Sequence, residues 1–332
     1  MDRPADHPAT SAPRVGVLLV NLGSPDAPEP GAVRRYLREF LSDPRVVEIP
    51  QFIWQIILNL FVLTTRPRKS AHAYAQVWTD DGAPLVTITR RQAAALAARL
   101  GEAVMVDWAM RYGSPSIADR LAALKAAGCD RILIAPLYPQ YSGATTATVM
   151  DAVGRALAAM RWQPAIRTLP PYYDDPLHIT ALAEDARAHL AALDFEPDAL
   201  LASFHSMPER TLLRGDPYHC QCQKTARLLS EALERDLTVS FQSRLGRAKW
   251  LEPSTEATLA ALAQKGVKRL AVLTPGFSAD NLETLEEIAI RGRETFLEAG
   301  GTYFAALPCL NDGAPGMAMI EALVRRELAG WV

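Results

Sequence analysis

Apolar residues in this chain gather into short runs separated by stretches of helical spacing. Val15–Val20 (VGVLLV) is nearly all aliphatic and stops at Asn21-Leu22-Gly23-Ser24-Pro25. Such a run, ended by turn formers, reads as a strand buried on both faces. Seven more follow, at Ala103–Trp108, Arg131–Ala135, Ala165–Leu169, Ala199–Phe204, Val239–Gln242, Arg269–Leu273 and Tyr303–Leu307. Between them lie Thr89–Arg99, Ile117–Ala127, Ala181–Leu193, Thr225–Glu234 and Glu256–Lys265, with apolar residues at the three- and four-residue intervals of a one-sided helix. Strands alternating with helices predict an α/β fold of βαβ units with mostly parallel sheets.

The pattern also repeats. Pro115-Ser116 opens a helix that contains Leu121-Ala122-Ala123-Leu124 and leads through Gly128 and Arg131 into a strand; Pro253-Ser254 opens a second that runs through Leu259-Ala260-Ala261-Leu262, Gly266 and Arg269. The offset is 138, and eight of the 17 aligned positions are identical. Upstream, Arg111-Tyr112-Gly113 pairs loosely with Arg244-Leu245-Gly246, with extra residues around Trp250 in the second copy. Chance likeness in a chain rich in Ala and Leu is the competing reading. A true repeat implies two similar α/β halves, with a ligand between them near the carboxyl ends of the strands.

The 332 residues leave room for about two domains. Thirty-five basic residues against 37 acidic ones provide no excess charge to follow a phosphate backbone, so nucleic acid is not an expected partner. Residues 1–13 are polar and proline-rich, read as a flexible tail, and lack a secretory apolar segment. Four cysteines, at 129, 220, 222 and 309, then fit reduced thiols in a cytoplasmic protein. Gln51–Leu63 is apolar except for Gln51, Gln55 and Asn59, which fall on one narrow helical stripe, and Arg66, Arg68 and Lys69 follow at once. The strongly apolar part, Phe52–Leu63, has 12 residues, short of the roughly 20 that span a bilayer.

Candidate chemistry sits at strand ends. Gly-x-Gly-x-x-Gly, Walker, His-Glu-x-x-His and Gly-x-Ser-x-Gly motifs are all missing. His205 directly follows the Ala199–Phe204 strand, where ligands bind in open α/β sheets. His178 and His189 lie in a polar helical stretch and are expected to be solvated. After the Arg269–Leu273 strand, Asp280, Glu283 and Glu287 recur at three- and four-residue spacing, an acidic stripe on one helix face. A histidine facing carboxylates suits a divalent first-row metal and also proton transfer near neutral pH. Metal insertion into a porphyrin needs both, because two pyrrole protons leave as a dehydrated ion arrives.

Seven segments, in order, resemble the ferrochelatase family: Asn21–Pro25, Arg111–Gly113, Tyr138-Pro139-Gln140-Tyr141-Ser142, Ser203-Phe204-His205-Ser206-Met207-Pro208, Gly215–Tyr218, Trp250-Leu251-Glu252-Pro253 and 275–287. The likeness spans about residues 15 to 330. It implies two Rossmann-like domains with parallel sheets and a porphyrin cleft between them. The expected division is an N-terminal domain at 14–165, a C-terminal domain at 166–315, and a helix at 316–332 that packs back on the first. It further implies that His205 and Glu283 are catalytic and metal-binding, with Asp280 and Glu287 relaying protons or metal. Arg111, Tyr138, Trp250 and Phe277 would contact the porphyrin. Asn281 departs from animal members, which carry histidine there.

The expected reaction is insertion of Fe(II) into protoporphyrin IX with release of two protons, both partners being substrates. A coproporphyrin or sirohydrochlorin-type chelatase and a non-catalytic haem carrier are the alternatives. No resident cofactor is expected. Animal-type members take one [2Fe–2S] ligand just after the Pro-Gln-Tyr-Ser motif, where this chain has Gly143, and no cysteine follows Cys309. In the family the 52–63 region forms a lip over the cleft, so peripheral contact with anionic membranes through Phe52–Leu63 is expected.

Overall fold

The computed structural model describes Asp6, residues 13–244 and residues 248–332. Most of the expected tail, and Leu245 and Gly246 of the repeat, therefore lie outside the described residues. All eight expected strands form: β1 (Arg14–Asn21), β2 (Val104–Met110), β3 (Cys129–Pro136), β4 (Ala165–Thr168), β5 (Ala199–His205), β6 (Leu237–Gln242), β7 (Arg269–Leu273) and β8 (Tyr303–Ala306). They make two four-stranded, fully parallel sheets in the orders β2-β1-β3-β4 and β6-β5-β7-β8.

Each sheet is covered on both faces, which explains why its central strands read as continuous apolar runs rather than alternating ones. Val17 and Leu19 of β1 point toward helices Pro84–Leu100 and Ala314–Leu328, whereas Leu18 and Val20 point toward helices Ile117–Ala126 and Thr148–Ala158. In the second sheet Leu200 and Leu273 face helices Pro176–Ala191 and Tyr218–Leu233. Leu201 and Val272 face helix Thr255–Gln264 and the helical stretch Glu283–Glu298.

The sequence repeat is structural. Ser116 and Ser254 each cap their helix, accepting from the backbone N–H of Asp119 (3.1 Å) and Ala257 (3.3 Å). Gly128 and Gly266 both leave those helices at positive φ, 95° and 96°, a conformation glycine adopts without a Cβ clash. After β3 and after β7 the chain enters a helix through π-helical turns, at Gly143–Ala147 and Glu283–Gly292.

The halves are tied together. Helix Pro176–Ala191 puts Ala181 into the first core and Ala183 and Ala186 into the second. The C-terminal helix returns to the first sheet, where Met317, Ile320, Leu323, Val324 and Leu328 are buried beside Val15, Leu96 and Leu133. Its Arg326 pairs with Asp175, and Glu321 with Arg99 at 3.0 Å.

Two expectations need correction. His178 is not solvated: it is 1% exposed, packs edge-on against Tyr172, and burial holds its imidazole down at about 4. Within Gln51–Leu63, Trp54 does not belong to an outward apolar face. It is buried with Leu58 and Leu63, and its indole N–H donates to the carbonyl of Leu41 at 2.6 Å. The outward residues are Phe52, Ile53, Ile56, Leu60 and Phe61. This lip is one helical stretch, α from Gln51 to Ile57, π from Leu58 to Val62, and α again from Leu63 to Val77. Among the described residues, no helix is long and apolar enough to cross a membrane.

Candidate active site

His205 is the last residue of β5, and Glu283 opens the helix that follows β7. β5 and β7 are neighbours, so the segment leaving the carboxyl end of β7 can bring Glu283 to His205. His205 Nδ1 lies 3.1 Å from Glu283 Oε2. A carboxylate can only accept, so the neutral imidazole carries its proton on Nδ1 and keeps a free lone pair on Nε2. The imidazole is enclosed by neighbouring atoms yet leaves 34% of its side-chain surface open. Burial pushes its pKa down. The charge of Glu283, its hydrogen bond and the charge of Glu287 outweigh that and hold it above the usual value.

The second acid is held by a different strand. Glu287 accepts from the backbone N–H of Ser243 at 2.8 Å and from its hydroxyl at 2.5 Å, just beyond β6. Burial raises its carboxyl, opposed by the Ser243 hydroxyl, and the nearby charge of Glu283 adds to the rise. Gln242 reaches from the end of β6 to the Glu283 carbonyl at 3.3 Å. Asn281 accepts from the backbone N–H of Glu283 at 2.8 Å, so its side chain serves the start of the helix.

The wall opposite comes from the first half. The carboxylate of Glu283 acts electrostatically on Tyr36 and Tyr74 of that half and on Tyr218 of its own, and burial raises all three phenols. Tyr36 donates to the carbonyl of Gly23 at 3.1 Å. A Cβ at Gly23 would fall 1.8 Å from the carbonyl oxygen of Tyr112, so only glycine permits this approach. The segment around Tyr138 is pinned by the second half: Gly143 N–H donates to Asp216 at 2.7 Å, Tyr141 N–H to Gln221 at 2.6 Å, and Gln140 to Thr225 at 3.0 Å. Tyr138 is held in that frame with a buried hydroxyl that has no protein partner.

Across this whole arrangement, the family model described as ferrochelatase matches residues 14–328. The chain belongs to the ferrochelatase family. It is 56% identical to the ferrochelatase of Rhizobium meliloti, with both chains covered in full. It is 54% identical to that of Methylocella silvestris, covering 98% of this chain and 97% of that one. The fold is similar to the solved structure of SirB from Bacillus subtilis, with TM-score 0.59 at 12% identity, covering 96% of this chain and 97% of that one. It is also similar to CbiX, described as the terminal enzyme for siroheme biosynthesis in denitrifying bacteria, with TM-score 0.51 at 18% identity and coverage of 95% and 100%. Ferrochelatase is a lyase of haem biosynthesis that inserts iron into a porphyrin, and this chain is an enzyme of that kind.

In this ferrochelatase-family chain the residues singled out by sequence divide by position. His205, Glu283 and Glu287 converge, and Trp250 bridges to Pro208 just past His205. Asp280 does not join their stripe. It precedes the helix, and its buried carboxylate accepts from Thr284 (2.8 Å), Asn311 (2.7 Å) and the backbone N–H of Cys309 (3.3 Å). Phe277 forms the turn after β7 and borders a small cavity with Asp185 and Leu310. Arg111 lies in a polar network: its Nε donates to Thr148 Oγ1 at 2.7 Å, its Nη2 to Asp43 at 2.5 Å, and its guanidinium lies 4.2 Å from the Tyr112 ring centre. Burial pushes Asp43 up, but hydrogen bonds from Thr148, the Arg45 N–H and Tyr112, with the charge of Arg111, hold it below the usual carboxylate range. Tyr36, Tyr74, Asp43 and Ser243 were not singled out by sequence. The nearest signals were Arg111-Tyr112-Gly113 and Asn21–Pro25, which Asp43, Tyr36 and Tyr74 touch, and for Ser243 the Glu287 that it holds.

Proposed function

We propose that the porphyrin is protoporphyrin IX and that His205 takes the two pyrrole protons in turn. The observation that carries this is the His205–Glu283 contact at the open end of β5. It fixes the tautomer, leaves Nε2 free as an acceptor, and supplies a carboxylate beside the proton that arrives. Each proton that breaks from a pyrrole nitrogen passes to His205 and on toward Glu283 and Glu287, and the ring nitrogens then bind Fe(II). Iron is a substrate here, and Glu283 with His205 is the proposed point of transfer.

Other residues supply shape and charge. Tyr138 and Trp250 flank the ring, and Arg111 acts from behind through Tyr112. Asp280, with its carboxylate already taken up by three donors, anchors the start of the helix and stands apart from the relay. Arg66 is half-buried on the lip and has no ion-pair partner among the described residues, so it offers a cation to a porphyrin carboxylate. The exposed lip residues and the basic residues behind them support a cytoplasmic enzyme that rests peripherally on anionic membranes.

The test is an anaerobic incubation with Fe(II) and either protoporphyrin IX or coproporphyrin III, followed by the change in absorption. Faster turnover with protoporphyrin is expected, and a preference for coproporphyrin reverses the substrate assignment. His205→Ala should lower turnover by about 100-fold or more, the usual contribution of a positioned acid–base group, while porphyrin still binds. Near-normal turnover in that variant would remove His205 from the reaction.

A further inference from the structure

Behind Arg111, away from His205 and Glu283, is an open cavity of about 610 Å³. Helix Pro30–Leu41 forms one wall and helix Thr148–Ala158 the other, with the 42–44 turn between them. The lining contains five arginines, at 34, 35, 38, 111 and 155, against the acids Glu39, Asp43 and Asp151.

The acids are already engaged. Asp43 accepts from Arg111, Tyr112 and Thr148. Asp151 is held by both arms of Arg45, at 2.8 and 3.2 Å, and Glu39 accepts from the Gly113 N–H at 3.0 Å. Arg35 has one exposed contact, 3.5 Å from Asp26. Arg34, Arg38 and Arg155 have no carboxylate partner among the described residues. Three unpaired guanidinium groups therefore converge on one concavity whose only carboxylates are spoken for.

An inward face on helix Pro30–Leu41 is explained by packing, since Val33, Tyr36, Leu37 and Leu41 are buried against the lip. Packing does not explain three arginines, Arg34, Arg35 and Arg38, on its other side facing helix Thr148–Ala158. Guanidinium groups are planar forks that match the oxygens of phosphates and carboxylates, and several around one pocket add their fields. A volume of this size also exceeds what a lone water or chloride needs and falls in the range of small-ligand sites.

We infer that this cavity binds a small multivalent oxyanion, a phosphate ester or a polycarboxylate, on Arg34, Arg38 and Arg155. The site is separate from the metal-inserting pair and does not depend on the porphyrin assigned above. Arg111 forms its back wall, so an occupant would sit one side chain away from Tyr112 and the tyrosines around Glu283.

The experiment is calorimetric titration of the full chain with pyrophosphate, ATP and citrate, at constant ionic strength set with chloride. Saturable one-to-one binding of at least one of them is expected. Arg38→Ala and Arg155→Ala should each weaken it about tenfold or more, the loss expected for a hydrogen bond to a charged group. Arg90→Ala, at an exposed position on another helix, should leave it unchanged. Selective binding of pyrophosphate and ATP would identify the phosphate source, and selective binding of citrate the carboxylate source. No saturable heat with any of the three, or equal affinity in all three variants, overturns the inference. Far-ultraviolet dichroism of each variant keeps a folding defect from passing as lost binding.

Discussion

One hydrogen bond sets the behaviour of His205, the proposed proton acceptor. Without a carboxylate beside it, burial would carry the imidazole below its ordinary value of about 6.5. Glu283 reverses that direction and Glu287 adds to it. Because the folded pKa is raised, His205 is protonated, and lost as a base, over an acid range that extends higher than for a free histidine. Turnover at saturating substrates should therefore decline on the acid side beginning above about 6.5. In Glu283→Gln the charge of Glu283 is lost and only the smaller effect of Glu287 still raises the imidazole, so an NMR titration of the His205 ring should show its pKa move down. An upward shift, or none, would mean that the contact does not control the proton. His205 was legible in sequence because it ends an apolar strand. Tyr36 and Tyr74 were not, since each occupies an apolar helical face and reads as an ordinary core tyrosine. Asp280 lies ahead of the helix, so its place on the acidic stripe was not legible from spacing. Spacing predicts which residues share a helix face only once the helix has begun, and here it begins at Glu283.

The lip shows the same limit over a longer segment. Its composition announced an amphipathic helix, and the polar stripe is real: Gln55 donates to Gln51 at 3.3 Å, and Asn59 to the Gln55 carbonyl at 2.8 Å. Which apolar residues turn outward could not be read, because the narrow polar stripe leaves both flanking faces of Gln51–Ile57 apolar, Trp54 included, and π-helical turns shift the register after Ile57. The consequence is a clean separation of roles. Phe52→Ser with Phe61→Ser should reduce co-sedimentation with anionic liposomes at low salt and change stability by no more than about 0.5 kcal/mol each, because both side chains are exposed. Trp54→Ala should instead cost about 3–5 kcal/mol in urea unfolding, since it empties a packed site and orphans the Leu41 carbonyl. Equal recovery of the wild-type chain in the supernatant with and without vesicles would remove the membrane role.

Across the full chain, alternation of strand and helix and the 138-residue repeat make the architecture readable, while the return of the C-terminal helix to the first half is expected only from the family resemblance. Nothing local in Ala314–Leu328 says which sheet it covers. It covers the first, burying six large apolar side chains there. Burial of such side chains stabilises by roughly 1.5–3 kcal/mol each, comparable in sum with the whole stability of a typical domain. A chain truncated after Gly313 is thus expected to lose cooperative unfolding and accumulate in the insoluble fraction; a soluble product with wild-type Tm would contradict this. The reach of the fold also bears on iron–sulfur chemistry. Three of the cysteines, 129, 222 and 309, are buried in separate cores or loops, and Cys220 is exposed. Freshly purified protein is expected to contain no stoichiometric acid-labile sulfide, and finding it would overturn that expectation.

The matching strand orders of the two sheets have an evolutionary reading. A symmetric dimer of identical halves duplicates every substitution, so a gain on one side is tied to its cost on the other. Joining the halves in one polypeptide lifts that tie. The first half could then grow a greasy flap between Gln51 and Val77 while the second kept a strand end for His205. A change in the exposed lip and a change at that strand end could then be selected separately, one at a time.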